Sequence, residues 1–143
     1  MKTQTIKTLF VAIFLVAGIS FAKADERNID NKSLQYNVET YIKKIKTGYS
    51  EDFSNILSND VKFNLERNGK MMTHGKNEEL AFMKSNVGII QNCKLASSAL
   101  VSTTNYSLVK ISMIYPTFVR EDYVTMVRTN QSWKITEVTS IFK

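Results

Sequence analysis

After a polar lead-in from Asp25 to Lys32, Leu34, Val38, Tyr41, Ile42 and Ile45 recur three and four residues apart, which places them on one stripe of a helix. Gly48 ends that pattern. A second, shorter helix is expected from Ser50, whose hydroxyl can cap free amides, with Glu51 and Asp52 facing the positive end of the dipole. Phe53, Ile56 and Leu57 form its buried side. From Asp60 the period drops to two: Val61, Phe63 and Leu65 alternate with Lys62, Asn64 and Glu66, and Asn68-Gly69 supplies a tight turn into a returning strand, Lys70 to His74. Gly75 stops the strand, and Asn77-Glu78-Glu79 opens a third helix that turns Leu80, Met83 and Phe82 inward and ends near Asn86.

Long strands follow, interrupted around Ser102 to Asn105, at Pro116, and from Thr129 to Ser132. Cys93, Leu95, Ala99 and Val101 make one alternating set, and Val109, Ile111, Met113 and Tyr115 another. In the last two strands both parities carry apolar residues: Phe118, Val124 and Met126 against Val119, Tyr123 and Val127, then Trp133 and Ile135 against Val138 and Phe142. A sheet apolar on both faces needs two covers, so helices are expected on one side and a second copy, forming a homodimer through the sheet, or a weakly solvated surface on the other.

The start of the chain reads differently. Lys2 and Lys7 precede an unbroken apolar run from Leu9 to Ile19, and Ala22-Lys23-Ala24 closes the segment. This is the layout of a secretory signal peptide spanning residues 1–24, with cleavage before Asp25. The uncharged stretch of about 15 residues is shorter than the ~20 that cross a bilayer, so a periplasmic or secreted product without a membrane anchor is expected. The remaining 25–143 make one domain. The formal charge is +6, but removing Lys2, Lys7 and Lys23 leaves 16 basic residues against 13 acidic, a net +3. With the cations interleaved among anions, that argues against a nucleic-acid partner. Cys93 is the one cysteine, so no internal disulfide forms, and its apolar parity suggests a buried, inert thiol.

Two helices, a hairpin, a short helix and then long antiparallel strands is the order of elements in the nuclear transport factor 2-like superfamily. Local wording agrees. Tyr41-Ile-Lys-Lys-Ile-Lys-Thr-Gly48, Phe53 to Leu57 and Asp60-Val61-Lys62-Phe63 resemble that superfamily's first helix, second helix and first strand. His74-Gly75-Lys76-Asn77-Glu78-Glu79-Leu80 is similar to the glycine and acidic helix start that follow, and Trp133-Lys134-Ile135 resembles the last strand. Among its branches, the exported bacterial proteins labelled nuclear transport factor 2-like or "putative lumazine-binding" are the nearest in wording. The resemblance implies an α+β, cone-shaped (cystatin-like) fold in which a curved antiparallel sheet packs on about three helices around a pocket.

It does not choose an activity, because members include isomerases, dehydratases, cyclases and proteins without catalysis. Tyr41 matches the first-helix tyrosine of the steroid-isomerase branch, but where that branch carries its carboxylate base this chain has Leu65, which accepts no proton. An isomerase or dehydratase would therefore need Tyr41 with another strand carboxylate, such as Asp122. Dehydratase-like members pair histidine with aspartate. The one histidine, His74, has only Asp122 or Glu137 as strand partners, and a strand-end histidine satisfied by backbone is the simpler reading. A single histidine also argues against a zinc site, and no cofactor is implied. What remains is an aromatic and polar set, Tyr41, Phe63, His74, Phe82, Tyr115 and Tyr123, suited to a small apolar or aromatic ligand if it lines a pocket, or to an ordinary filled core if it does not. A non-catalytic binding or interaction module is the reading these residues favour.

Overall fold

The computed structural model describes residues 21–130 and 132–143, with side chains from Ser33 onward. The first twenty residues of the expected leader lie outside the described residues. The chain divides into two compact units, residues 1–32 and 33–143, and the packing below is that of the second. Helices α1 (Phe21–Thr47), α2 (Phe53–Ile56) and α3 (Lys76–Ser85) accompany six strands: β1 (Leu57–Arg67), β2 (Lys70–His74), β3 (Lys94–Ser102), β4 (Tyr106–Ile114), β5 (Val119–Thr129) and β6 (Ser132–Phe142). The strands form one curved sheet in the order β2-β1-β6-β5-β4-β3. No described helix is long and apolar enough to cross a membrane.

The α+β architecture expected from the sequence is the one observed. One pairing departs from an antiparallel sheet: β1 and β6 run parallel, because the β3 to β6 meander starts at the far edge and works inward until its last strand lies beside the first. Asn68 and Gly69 both take positive φ, 54° and 72°, as a two-residue hairpin turn requires. The second helix is shorter than expected and takes Asp52, not Ser50, as its N-cap, without a side-chain cap bond. Ser50 instead contributes its carbonyl, which accepts from the Phe53 N–H at 3.2 Å.

The core lies between the sheet and the helices. Tyr41, Phe53, Phe63, Ile111, Met126 and Ile135 are buried at its centre, and Leu34, Val38, Ile42 and Ile45 pack against it from α1. Asn37, also buried, fastens α1 to β6 by donating to the Trp133 carbonyl at 2.8 Å. The conflicting parities of β6 are resolved by a bulge. Thr125 pairs with Glu137 but Met126 pairs with Ile135, so Thr136 is an extra residue, and Trp133, Ile135, Val138 and Ser140 all face the core. Two other expectations fail. Phe82 is 60% exposed, because α3 is held to the core through Met83 and Glu79 on its other side, and Cys93, one residue before β3, is half-buried where it leads into an edge strand exposed along nearly its whole length.

Candidate functional site

Period two on β5 sends Asp122 to the core and leaves Glu121 and Tyr123 on the outer face. Tyr41, one turn before the end of α1's apolar stripe, donates its hydroxyl to Asp122 Oδ2 at 2.8 Å. Arg120, on the same strand, donates from Nε to Oδ1 at 2.8 Å and from Nη2 to Oδ2 at 3.2 Å, and Ser140 Oγ from β6 donates to Oδ1 at 2.6 Å. The four bonds use Asp122's two oxygens fully, and the residue has 0% exposure. Burial, then the neighbouring Asp122 charge, push the Tyr41 phenol well above its ordinary range. Burial alone would make Arg120 a weaker cation, but Asp122 and Tyr41 outweigh it and raise its pKa.

A second network begins where β2 ends. His74 is the last residue of the strand, Gly75 is the extended N-cap of α3, and Glu79 follows one helical turn later, its N–H donating to the Gly75 carbonyl at 3.1 Å. That geometry brings the buried Glu79 Oε2 to 2.6 Å from His74 Nε2, and Lys44 of α1 bonds its other oxygen. Burial works against the Glu79 charge, but Lys44 and His74 prevail and hold the carboxyl below its ordinary value. The imidazole also stacks on Phe63, with centroids 5.3 Å apart and planes at 12°.

The two networks border one cleft of about 400 Å³. Its polar side is formed by Tyr41, Arg120, Ser140, Lys44 and Glu79, and its apolar side by Phe63, Leu65, Phe82 and Phe142, with His74 between them. Of the residues singled out from sequence, Tyr41, Phe63, His74 and Phe82 line this cleft. Tyr115 does not. It lines a neighbouring cleft of about 140 Å³ that shares Lys44, Phe82 and Arg120 with the first, and its hydroxyl donates to Gln91 at 2.7 Å. Tyr123 lies on the outer face, where its hydroxyl donates to Glu121 Oε2 at 3.0 Å, because odd positions of β5 point away from the helices.

Sequence reasoning missed Lys44, Glu79, Arg120, Ser140 and Phe142. The partner of His74 is neither Asp122 nor Glu137 nor backbone but Glu79, and the available signal was local: a strand-end histidine followed by a glycine-capped helix returns that helix's first-turn acids toward it. Among the described residues no group of three or more histidine, cysteine, aspartate or glutamate side chains is placed to hold a metal.

Comparison with known proteins agrees with this architecture. A nuclear transport factor 2-like protein of unknown function from Silicibacter pomeroyi is 14% identical, with 84% of this chain and 98% of that one covered and a TM-score of 0.67. A protein with a cystatin-like fold from Caulobacter vibrioides is 13% identical over 80% of this chain and 89% of that one, with a TM-score of 0.57. A "putative scytalone dehydratase" from Novosphingobium aromaticivorans is 12% identical over 84% and 88%, with a TM-score of 0.53. At these identities the likeness is one of fold. No curated protein matches the chain with significance. The family described as "Putative lumazine-binding" matches residues 30–142, and this chain therefore belongs to that family, within the nuclear transport factor 2-like superfamily.

Proposed function

We propose that the chain is an exported, non-catalytic small-molecule-binding domain whose ligand occupies the cleft between Tyr41, Phe63 and Arg120. The observation that carries this reading is the cleft itself: about 400 Å³, with aromatic walls at Phe63, Phe82 and Phe142 and a polar side at Arg120, Ser140 and Tyr41. That volume lies within the ~300–1,000 Å³ usual for small-molecule sites. A flat, largely apolar molecule with one polar edge is the matching chemistry. Lys44 and Arg120 are each offset by a carboxylate, so the site favours a neutral ligand over a strongly charged one.

Tyr41 and Asp122 meet, as an isomerase-type pairing requires, yet the geometry is that of a structural pair. Asp122 is sealed and already accepts four hydrogen bonds, and Tyr41 spends its proton on it. Protein purified from its native compartment, denatured and extracted, is expected to release a small aromatic compound detectable by mass spectrometry. Leu65→Trp, which fills the cleft from a partly buried position, is expected to abolish its retention; equal retention in the variant overturns the reading.

One observation favours a second reading. His74 is oriented by Glu79 and faces the same cleft, the arrangement of an acid–base catalyst of dehydratase or isomerase type. Under that reading His74→Gln, which keeps a hydrogen bond to Glu79, destroys turnover while leaving ligand retention intact. Under the binding reading it changes retention alone.

A further inference from the structure

We propose that the α3–β3 connection is a docking lip for an anionic lipid surface. Residues 86–93 leave the end of α3 and are fastened down by backbone: Gly88 N–H donates to the Thr47 carbonyl at 3.2 Å, Ile89 N–H to the Asn86 carbonyl at 3.1 Å, and Gln91 N–H to the Lys46 carbonyl at 3.2 Å. A connection so anchored does not need its apolar side chains in solvent. Yet Val87 is 58% exposed, Ile89 49% and Ile90 79%, with Phe82 on the preceding helix at 60%. Three large apolar groups on one connection, with Phe82 on the helix before it, mark an interaction site.

The charge around them selects the partner. From Leu80 to Arg120 the sequence contains no aspartate or glutamate. Lys84 and Lys94, both exposed, flank the connection, and exposed Lys43 and Lys46 end the helix on which it is fastened. Apolar tips on an acid-free segment flanked by Lys84 and Lys94 suit insertion to the headgroup boundary of an anionic leaflet, with Glu78 the exposed acid one turn before Phe82. Four side chains fall far short of the ~20–30 residues a side of a standard protein interface. Phe82 and Ile89 also line the smaller cleft, so the lip stands at its mouth.

The test is co-sedimentation of the processed chain, beginning at Asp25, with vesicles of equal parts phosphatidylglycerol and phosphatidylcholine, and with phosphatidylcholine alone. Binding to the anionic vesicles is expected to fall at high salt and to drop roughly tenfold or more in Lys84→Glu/Lys94→Glu, since each lysine lost and reversed removes a substantial share of the attraction. Ile89→Asp/Ile90→Asp is expected to abolish it, with an unchanged melting transition showing that the fold persists. No vesicle binding overturns the proposal. So does binding that ignores both pairs of substitutions, which places the contact elsewhere in the chain. Concentration-dependent self-association lost in Ile89→Asp/Ile90→Asp, without vesicle binding, identifies a second copy as the partner and likewise overturns it.

Discussion

At Asp122 the two ways of breaking one network have different costs. Asp122→Ala leaves the Arg120 charge and the Tyr41 hydroxyl facing each other without their acceptor, and about 3–5 kcal/mol of stability is expected to be lost. Tyr41→Phe removes one donor from a carboxylate that keeps Arg120 and Ser140, and about 1.5 kcal/mol is expected, both read by urea denaturation. Titration gives an independent check. The folded chain holds Glu79 below its ordinary 4.5, so the unfolded chain takes up that proton first as pH falls. The contribution is fully present above 4.5 and is lost as pH drops through the lower folded value. Melting temperature followed from neutral to acid pH is expected to fall in the native chain, and Glu79→Gln, less stable at neutral pH, is expected to fall less over the same window.

Among the elements, two glycines with the same backbone angle separate conformational strain from collision. Gly48 and Gly69 both have φ of 72°, but a Cβ at Gly69 meets nothing within 4 Å, whereas one at Gly48 would lie 2.0 Å from the Asn86 carbonyl oxygen. Gly69→Ala is expected to cost about 1 kcal/mol, the left-handed backbone alone. Gly48→Ala is expected to cost several times as much, because the end of α1 and the connection after α3 must part; thermal denaturation of the two variants compares them. The stripe of α1 and the Asn68-Gly69 turn were legible because their signals are local to the segment that uses them. The Thr136 bulge was not, since one extra residue acquires meaning only against the register of β5, and without it Ile135 and Val138 read as opposite faces. The site divides the same way: Tyr41 and Phe63 announce themselves as apolar-face aromatics, while Arg120 reaches the cleft only because Asp122, two residues on, turns inward beside it.

For the whole molecule, the bulge turns three apolar residues of β6 inward and leaves those of β5 as the argument for pairing two copies through the sheet. With Trp133, Ile135 and Val138 all inward, the outer face of β4 to β6 carries Leu108, Ile114, Val119, Tyr123, Val127 and Ile141 among Lys110, Glu121, Thr125, Glu137 and Thr139, and Glu121 is engaged by Lys143 at 2.7 Å and by Tyr123. N-terminal sequencing of exported protein is expected to begin at Asp25; an intact Met1 start would refute processing. The parallel β1–β6 pair also sets a timetable for biosynthesis. The central neighbour of the first strand is the last strand synthesised, its residues pairing across 75 to 78 positions of sequence, so a nascent chain lacking residues 132–142 leaves both β1 and β5 without the partner between them. Contacts so distant along the chain form late and slowly. For a chain exported as proposed, threaded outward through a narrow channel, this order keeps the polypeptide from setting into its final shape until its carboxyl end has been made.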